Sequence, residues 1–285
     1  EYQETMKNIA LYKDILENYD SMAAVIIKDM DEIKKEYGRK RRTAVENAEE
    51  AVYEEKKMEE TEVCFLMDRF GYMRLIDKNA YERNKEAAHA ENKFIFTCMN
   101  TDKICIFTDM GRMHSIKVVD IPLVRFRDKG TPVDNLSNYD STQEQILYVV
   151  PVGQVKLSSL LFVTKTSMCK LVAGSEFDVS KRTIASTKLG EEDALIFVGP
   201  ADEMEQIVLQ SEGGYFLRFQ KQDVSSMKKT SIGVRGMKLA EGDVLEHAYL
   251  IEPRQEYTIT YHDKPYSLNK VKLAKRDTKG TKPRI

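Results

Sequence analysis

Basic side chains recur in this chain at one place in a repeated phrase, and cations set at intervals along a surface are suited to holding phosphate. The phrase is an apolar strand, a polar turn and a second strand ending in a base. It runs Val63-Cys64-Phe65-Leu66-Met67 to Gly71-Tyr72-Met73-Arg74, Ile104-Cys105-Ile106-Phe107 to Gly111-Arg112-Met113-His114, and Ile207-Val208-Leu209 to Gly214-Tyr215-Phe216-Leu217-Arg218. A weaker copy, Leu161-Phe162-Val163 to Ser167-Met168-Cys169-Lys170, has Ser where the others have the turn Gly. The candidate phosphate contacts are Arg69, Arg74, Arg112, Lys117, Arg125, Arg127, Lys165, Lys170, Lys181, Arg182, Arg218, Lys228, Lys229, Arg235 and Lys270. In a radial array equivalent positions follow one curved perimeter, so these residues would form a discontinuous basic track that reads phosphates rather than bases. A second reading stands beside it: residues 63–285 hold 29 carboxylates with their 33 basic side chains, and each cation could be an ordinary solvated charge.

Other chemistry is sparse. His89, His114, His247 and His262 show no i, i+4 pairing and no Cys neighbour, so no metal site is expected. A nucleophile elbow, a Walker loop and a dinucleotide fingerprint are all missing. Gly233-Val234-Arg235-Gly236 lacks the Lys-Ser/Thr ending of a phosphate loop and reads as a turn whose glycines supply positive φ. Cys64, Cys98, Cys105 and Cys169 fall in apolar runs with no Cys-x-x-Cys pair, as small buried hydrophobes of a reducing compartment do. The chain is expected to carry no self-contained active site.

The elements that must position these cations are short strands. Turn anchors at Gly71, Gly111, Ser167 and Gly214 define a repeat of the length used by propeller-like arrays, in which each small sheet buries its faces against its neighbours. A fifth, diverged copy runs through Tyr261-His262-Asp263-Lys264-Pro265 into Tyr266-Ser267-Leu268-Asn269-Lys270. Longer links, such as Lys129-Gly130-Thr131-Pro132 and Ser231 to Leu239, separate the copies. Ahead of the repeats, Ile9, Tyr12, Leu16, Tyr19, Ala23, Ile26, Met30, Ile33 and Tyr37 alternate spacings of 3 and 4, the seam of a coiled coil. This predicts one long helix of about 55 Å over the first 37 residues, ended by Gly38 and needing a partner helix from outside. Residues 1–43 thus form the helix and its basic exit, residues 44–62, with eight glutamates, an acidic linker, and residues 63–285 the repeat domain.

The formal charge of −2 hides an asymmetry, since residues 1–62 carry 17 acidic and 11 basic side chains while the repeat domain carries the excess of base. From Lys264 to Ile285 there are eight Lys or Arg against the single Asp277, which leans the domain towards an anionic partner. No apolar run approaches the ~20 residues of a membrane span, and no signal-peptide pattern opens the chain. The expectation is a cytoplasmic protein.

Three strings carry a family resemblance. Ile33-Lys34-Lys35-Glu36-Tyr37-Gly38-Arg39-Lys40-Arg41-Arg42-Thr43, then Lys129-Gly130-Thr131-Pro132 with Asn135-Leu136, then Thr230 to Asp243 with the terminal Thr278-Lys279-Gly280, resemble the C-terminal part of the A subunit of bacterial type IIA DNA topoisomerases, DNA gyrase and topoisomerase IV. The resemblance implies a mainly β fold, a β-pinwheel of about five four-stranded blades, preceded by the returning helix of an antiparallel coiled coil. It implies double-stranded DNA as partner, with the pinwheel binding and orienting the transported duplex. It also implies a B subunit that hydrolyses ATP with Mg2+ in an A2B2 holoenzyme, A-subunit self-association through the coiled-coil gate, and a nucleoid-associated protein. The catalytic tyrosine of the family belongs to a region ahead of the coiled coil, so this chain alone is expected to be non-catalytic and to hold no cofactor or metal. Gyrase-type pinwheels carry a Gln-Arg-Arg-Gly-Gly-Lys-Gly box after the first repeat. The matching stretch here, Tyr81-Glu82-Arg83-Asn84-Lys85-Glu86-Ala87-Ala88-His89-Ala90-Glu91-Asn92-Lys93, has no glycine and three glutamates, which points to topoisomerase IV. A gyrase pinwheel with a degenerate box and a propeller-type protein-interaction scaffold are the alternatives.

Overall fold

A computed structural model describes residues 1–43 and 59–283. The chain divides into two compact units, Glu1–Lys56 and Lys57–Ile285. Most of the expected acidic linker, residues 44–58, lies outside the described residues.

The first unit corrects the single long helix. Helix α1 spans Tyr2–Glu17 and α2 spans Tyr19–Tyr37, with Asn18 between them in extended backbone at φ −111° and ψ 117°. Asn18 is a strong N-cap residue, and its side-chain oxygen accepts the amide of Asp20 at 3.1 Å, so it starts a new helix where heptad spacing alone predicts continuation. Ser21 Oγ donates to Asp14 across the break at 2.6 Å. None of the seam residues is fully buried within this unit.

The second unit is an array of small antiparallel sheets. Blade I pairs β1 (Glu62–Asp68) with β2 (Tyr72–Asp77) and β3 (Asn92–Met99); blade II pairs β4 (Lys103–Thr108) with β5 (Arg112–Lys117). The chain then gives β6 (Thr131–Pro132) back to the edge of blade I before β7 (Ile146–Pro151) completes blade II. Blade III is β8 (Ser159–Thr164), β9 (Met168–Ala173) and β11 (Leu195–Pro200), and β10 (Thr183–Ala185) crosses to blade II. Blade IV is β12 (Gln206–Ser211), β13 (Phe216–Gln220) and β15 (Leu245–Ile251), and β14 (Val234–Arg235) crosses to blade III. Blade V is the hairpin β16 (Thr258–Tyr261) and β17 (Lys264–Ser267), after which Thr281 bridges to Phe216 at the edge of blade IV.

Blades I to III are therefore each latched by the repeat that follows, and the segments expected as links are their fourth strands, while blade IV receives the Thr281 bridge. The expected five blades are present, and among the described residues the first three are four-stranded, the fourth three-stranded and the fifth a hairpin. Blade I has no predecessor to latch, and the segment at that chain position folds instead into α3 (Lys78–Arg83) and α4 (Lys85–Glu91). These two helices cover the blade face left open, with Tyr81 and Ala88 against Cys64, Leu66 and Ile76. The glycine-free stretch 81–93 thus has a structural use as a cap.

Alternation along the strands sends one face of each blade to the preceding blade and the other to the following one. Phe65, Met67, Met73 and Leu75 meet Ile104, Ile106 and Ile116; Phe107 and Met113 meet Leu160 and Phe162; Leu161 and Cys169 meet Leu209 and Leu217. Every one of these is fully or nearly fully buried, each contributing about 1.5–3 kcal/mol for its larger side chains. All four cysteines are free and buried, and burial pushes the thiols of Cys98, Cys105 and Cys169 up to about 12. The repeated turn is also explained. Gly71, Gly111 and Gly214 sit at φ +82°, +67° and +79°, and Ser167 holds the same left-handed conformation at +72°.

Candidate nucleic-acid interface

The four crossover segments are where the cations collect. In the second repeat the segment holds Arg125, Arg127 and Lys129; in the third, Lys181 and Arg182; in the fourth, Lys228 and Lys229; in the fifth, Lys275, Arg276, Lys279 and Lys282. Equivalence is set by backbone pairing, since Leu123, Ser226 and Leu273 each bridge in parallel to the preceding blade, at Leu75, Leu171 and Arg218. Arg125, Lys228 and Lys275 are therefore counterparts, and so are Lys129 and Lys279. Lys129 Nζ lies 4.1 Å above the ring of Tyr72, and Lys279 Nζ lies 5.1 Å above that of Tyr215, with Lys282 at 4.8 Å. The same Lys-on-Tyr arrangement thus recurs in two blades, holding at the surface an ammonium that meets no carboxylate among the described residues.

The glycine of Lys-Gly makes this close approach possible. A Cβ on Gly233 would lie 2.6 Å from the carbonyl oxygen of Cys169, and its counterparts Gly130 and Gly280 have the same relation to Met73 and Phe216. All three have positive φ, as read from the sequence for Gly233. Gly236 differs, being needed for space beside Leu209 and Cys169.

The sequence-predicted cations separate into groups. Arg69, Lys117, Arg125, Arg127, Lys165, Lys181, Arg182, Lys228 and Lys270 are exposed, and none is in an ion pair among the described residues. Lys229 is half-buried, its Nζ donating to the Glu176 carbonyl at 2.8 Å. Arg235 is exposed but paired, Nε to Asp277 at 2.5 Å and Nη2 at 3.1 Å, which consumes the one acid of the C-terminal basic stretch. Arg112 reaches Glu144 at 3.0 Å.

The expectation that Arg74, Lys170 and Arg218 project outward from equivalent positions is corrected. The cross-strand pairs Leu66–Arg74, Ile106–His114 and Phe162–Lys170 are equivalent, so the second member of the set is His114 and not Arg112. Neither Arg74 nor Lys170 points outward: they are 5% and 1% exposed. Lys170 Nζ donates to the carbonyls of Lys229 at 2.8 Å and Ser231 at 2.7 Å, so it braces the crossover loop from beneath. Burial pushes its ammonium down to about 8, against an opposing pull from Glu176. Arg218 is one residue further along its strand, paired with Val208 while Leu217 pairs with Leu209. A one-residue shift changes the face, so Arg218 turns towards the blade V side, where burial lowers its pKa.

His114 escaped the sequence reading. It is fully buried, with one ring nitrogen 3.1 Å from Glu144 and the other 3.1 Å from Thr183 of the crossover strand β10. Thr108 donates to the same carboxylate at 2.6 Å. The signal for it was its position three residues after the left-handed turn residue, Gly111, which Arg74 shares after Gly71 and Lys170 after Ser167. Lys129, Lys275, Arg276, Lys279 and Lys282 were also missed as individual contacts, although the C-terminal charge excess marked their region. Of these, Arg276 is spent on the carbonyls of Asp223 and Arg235.

Interlocked blades, most of them closed at the edge by a strand of the next repeat, make a propeller-like β-pinwheel, and the likenesses to known proteins assign it to a class, the C-terminal β-pinwheel domain of the A subunit of type IIA topoisomerases. Three segments, 102–142, 158–202 and 205–252, match the family described as DNA gyrase C-terminal domain, beta-propeller; the last two each span one repeat with its crossover strand, and the first spans β4 to β6. The chain is 31% identical over 248 residues to the DNA gyrase A protein of Clostridium acetobutylicum, covering 83% of this chain and 30% of that protein. It is 27% identical over 269 residues to the DNA gyrase A protein of Lawsonia intracellularis, covering 90% and 33%. The chain thus spans about a third of the curated relatives it matches. Among solved structures, the C-terminal domain of DNA topoisomerase IV superimposes with a TM-score of 0.70 at 24% identity, covering 78% of this chain and 72% of that one. The E. coli ParC C-terminal domain gives 0.63 at 16%, covering 78% and 94%. A DNA gyrase A C-terminal domain gives 0.53 at 17%, covering 78% and 76%.

Proposed function

We propose that the repeat domain binds duplex DNA through its phosphates, along the crossover segments, and orients the transported duplex for ATP-dependent double-strand passage by an enzyme of the topoisomerase IV type. The observation that carries this reading is that all four crossover segments present exposed cations, several on the same structural positions, with no carboxylate partner among the described residues. Contacts of this kind follow the shape of the backbone and tolerate any base sequence. The topoisomerase IV reading is supported by residues 81–91, which form a helical cap in place of a glycine-rich wrapping segment. Gyrase-type wrapping is the second reading, favoured by the gyrase names of the sequence relatives.

On this reading the chain is the non-catalytic part of an isomerase. Its partners are a B subunit in an A2B2 assembly, a second copy of its own chain through the coiled-coil gate, and the nucleoid DNA of the cytoplasm. The Mg2+ and ATP of the reaction are assigned to the B subunit. Among the described residues no group of three His, Cys, Asp or Glu is placed to hold a cation.

The test is duplex binding by fluorescence anisotropy across a salt series. A linear fall of log affinity with log salt, indifferent to sequence, is expected; a salt-independent or absent interaction would defeat the reading. Reconstituted A2B2 enzyme then separates the two family members, because only a gyrase introduces negative supercoils into relaxed plasmid.

A further inference from the structure

Three basic residues, Arg74, His114 and Lys170, occupy one structural position in successive blades, and two of them are satisfied. Lys170 spends its ammonium on loop carbonyls, and His114 spends both ring nitrogens on Glu144 and Thr183. Arg74 differs. It is 5% exposed, its Nε is sealed from solvent without a partner, and no hydrogen bond or ion pair among the described residues reaches its guanidinium. A buried donor left without a partner is costly, and native structures hold few of them without a use; the sealed atom here is Nε, while the side chain also lines an open cleft.

The environment of Arg74 shows why it is left free. In blade III the loop that follows Met227 folds over Lys170 and supplies carbonyls; in blade I the counterpart loop after Val124 lays Phe126 against the guanidinium, 5.8 Å from its ring centre. On the other side the cap helix α4 takes the place of a preceding blade. Between them is a cleft lined by Arg74, Asn84, Arg127 and Lys129, with Asp68, Glu91 and Asp128 also at its wall. Asp68 is turned to the amides of Phe70 and Tyr72, and Asp128 to that of Arg125, so neither closes on Arg74.

We propose that this cleft takes a phosphate group, with the buried Arg74 fork as its floor and Arg127 and Lys129 at its mouth. A guanidinium offers two parallel donors to two phosphate oxygens, and one already fixed by burial loses little freedom on binding. A duplex lying along the crossover cations would place a backbone phosphate here, so the proposal rests on the DNA-binding reading for its source. The first blade then holds DNA by a recessed contact, while the later blades use surface ones.

The full chain, with arginine side chains labelled for NMR, tests this. The Arg74 Nε–H signal is expected to move on adding a duplex, and a movement with inorganic phosphate as well would mean that the cleft accepts the free anion too. No movement with either, while anisotropy shows the duplex bound, overturns the cleft. Movement with phosphate but no duplex binding leaves the cleft standing and removes the DNA reading. Arg74→Gln is expected to weaken duplex binding about tenfold and to lower the salt slope by about 1, with Arg74→Lys restoring the slope. It is also expected to leave thermal stability unchanged or higher, since it removes an unpaired buried charge. A large loss of stability with unchanged affinity would make Arg74 a structural residue and overturn the site.

Discussion

The hydroxyl of Ser167 accepts the backbone amide of Met237 at 2.7 Å, tying the hairpin turn of the third blade to the crossover segment of the fourth repeat. Ser167 is also the one turn residue of the first four repeats that holds a left-handed φ with a Cβ. Left-handed backbone costs a side-chain-bearing residue roughly 1–2 kcal/mol, and a buried amide hydrogen bond recovers a comparable amount. Ser167→Ala keeps the strain and orphans the Met237 amide, so a loss of about 1–3 kcal/mol is expected in urea denaturation. Ser167→Gly loses the bond but also the strain, and is expected to fall between the two.

Lys170 gives a pH signature. Its ammonium titrates at about 8 in the folded protein against 10.5 ordinarily, because burial disfavours the charge. Across that window the unfolded chain binds a proton that the folded chain does not, so folding stability rises with pH from about 8 upward. Lysine-selective NMR should find one side chain titrating near 8. A Lys170→Met variant should lose this pH-dependent rise and show faster amide exchange in residues 228–231, whose carbonyls it no longer braces.

Glu144 predicts the opposite limb. Burial pushes its carboxyl up, but donors from Thr108, His114 and Arg112 outweigh that and hold it below the usual carboxylate range. Its contribution is present above the ordinary glutamate pKa and is lost as pH falls through the depressed one. Glu144→Gln is expected to cost on the order of 3 kcal/mol, by leaving a buried pair half broken, and to flatten the acid limb of the stability profile.

The repeat was legible in the sequence because its signals are local. A positive-φ turn residue, period-two apolar strands and basic turn ends all lie within a dozen residues, and they located all five blades, including the diverged hairpin where His262 and Asp263 take φ +49° and +59°. What escaped was everything decided between repeats. That Thr131–Pro132 latches blade I, or that Val234–Arg235 latches blade III, depends on pairing with strands some sixty residues earlier, which no local pattern encodes. The same blindness let Arg112 and Arg218 stand as equivalents of Arg74 and Lys170, since a one-residue offset is invisible until the strand partners are known. The helix break at Asn18 shows the converse, a local cap overriding a longer-range seam.

The division of the cations by their partners makes the sharpest prediction. Lys129, Lys228 and Lys279 stand on crossover segments in no ion pair among the described residues, whereas Arg235 is held by Asp277 between the crossovers of the fourth and fifth repeats, whose backbones also join through Asp277 N to Gly236 O at 2.6 Å. Replacing the three lysines with glutamine should reduce the salt slope of duplex binding by up to about 3 with little change in melting temperature. Arg235→Gln should lower the melting temperature and leave the slope nearly unchanged, because its charge already serves Asp277. If the two variants exchange these effects, the crossover cations are structural and the duplex follows another face of the blades.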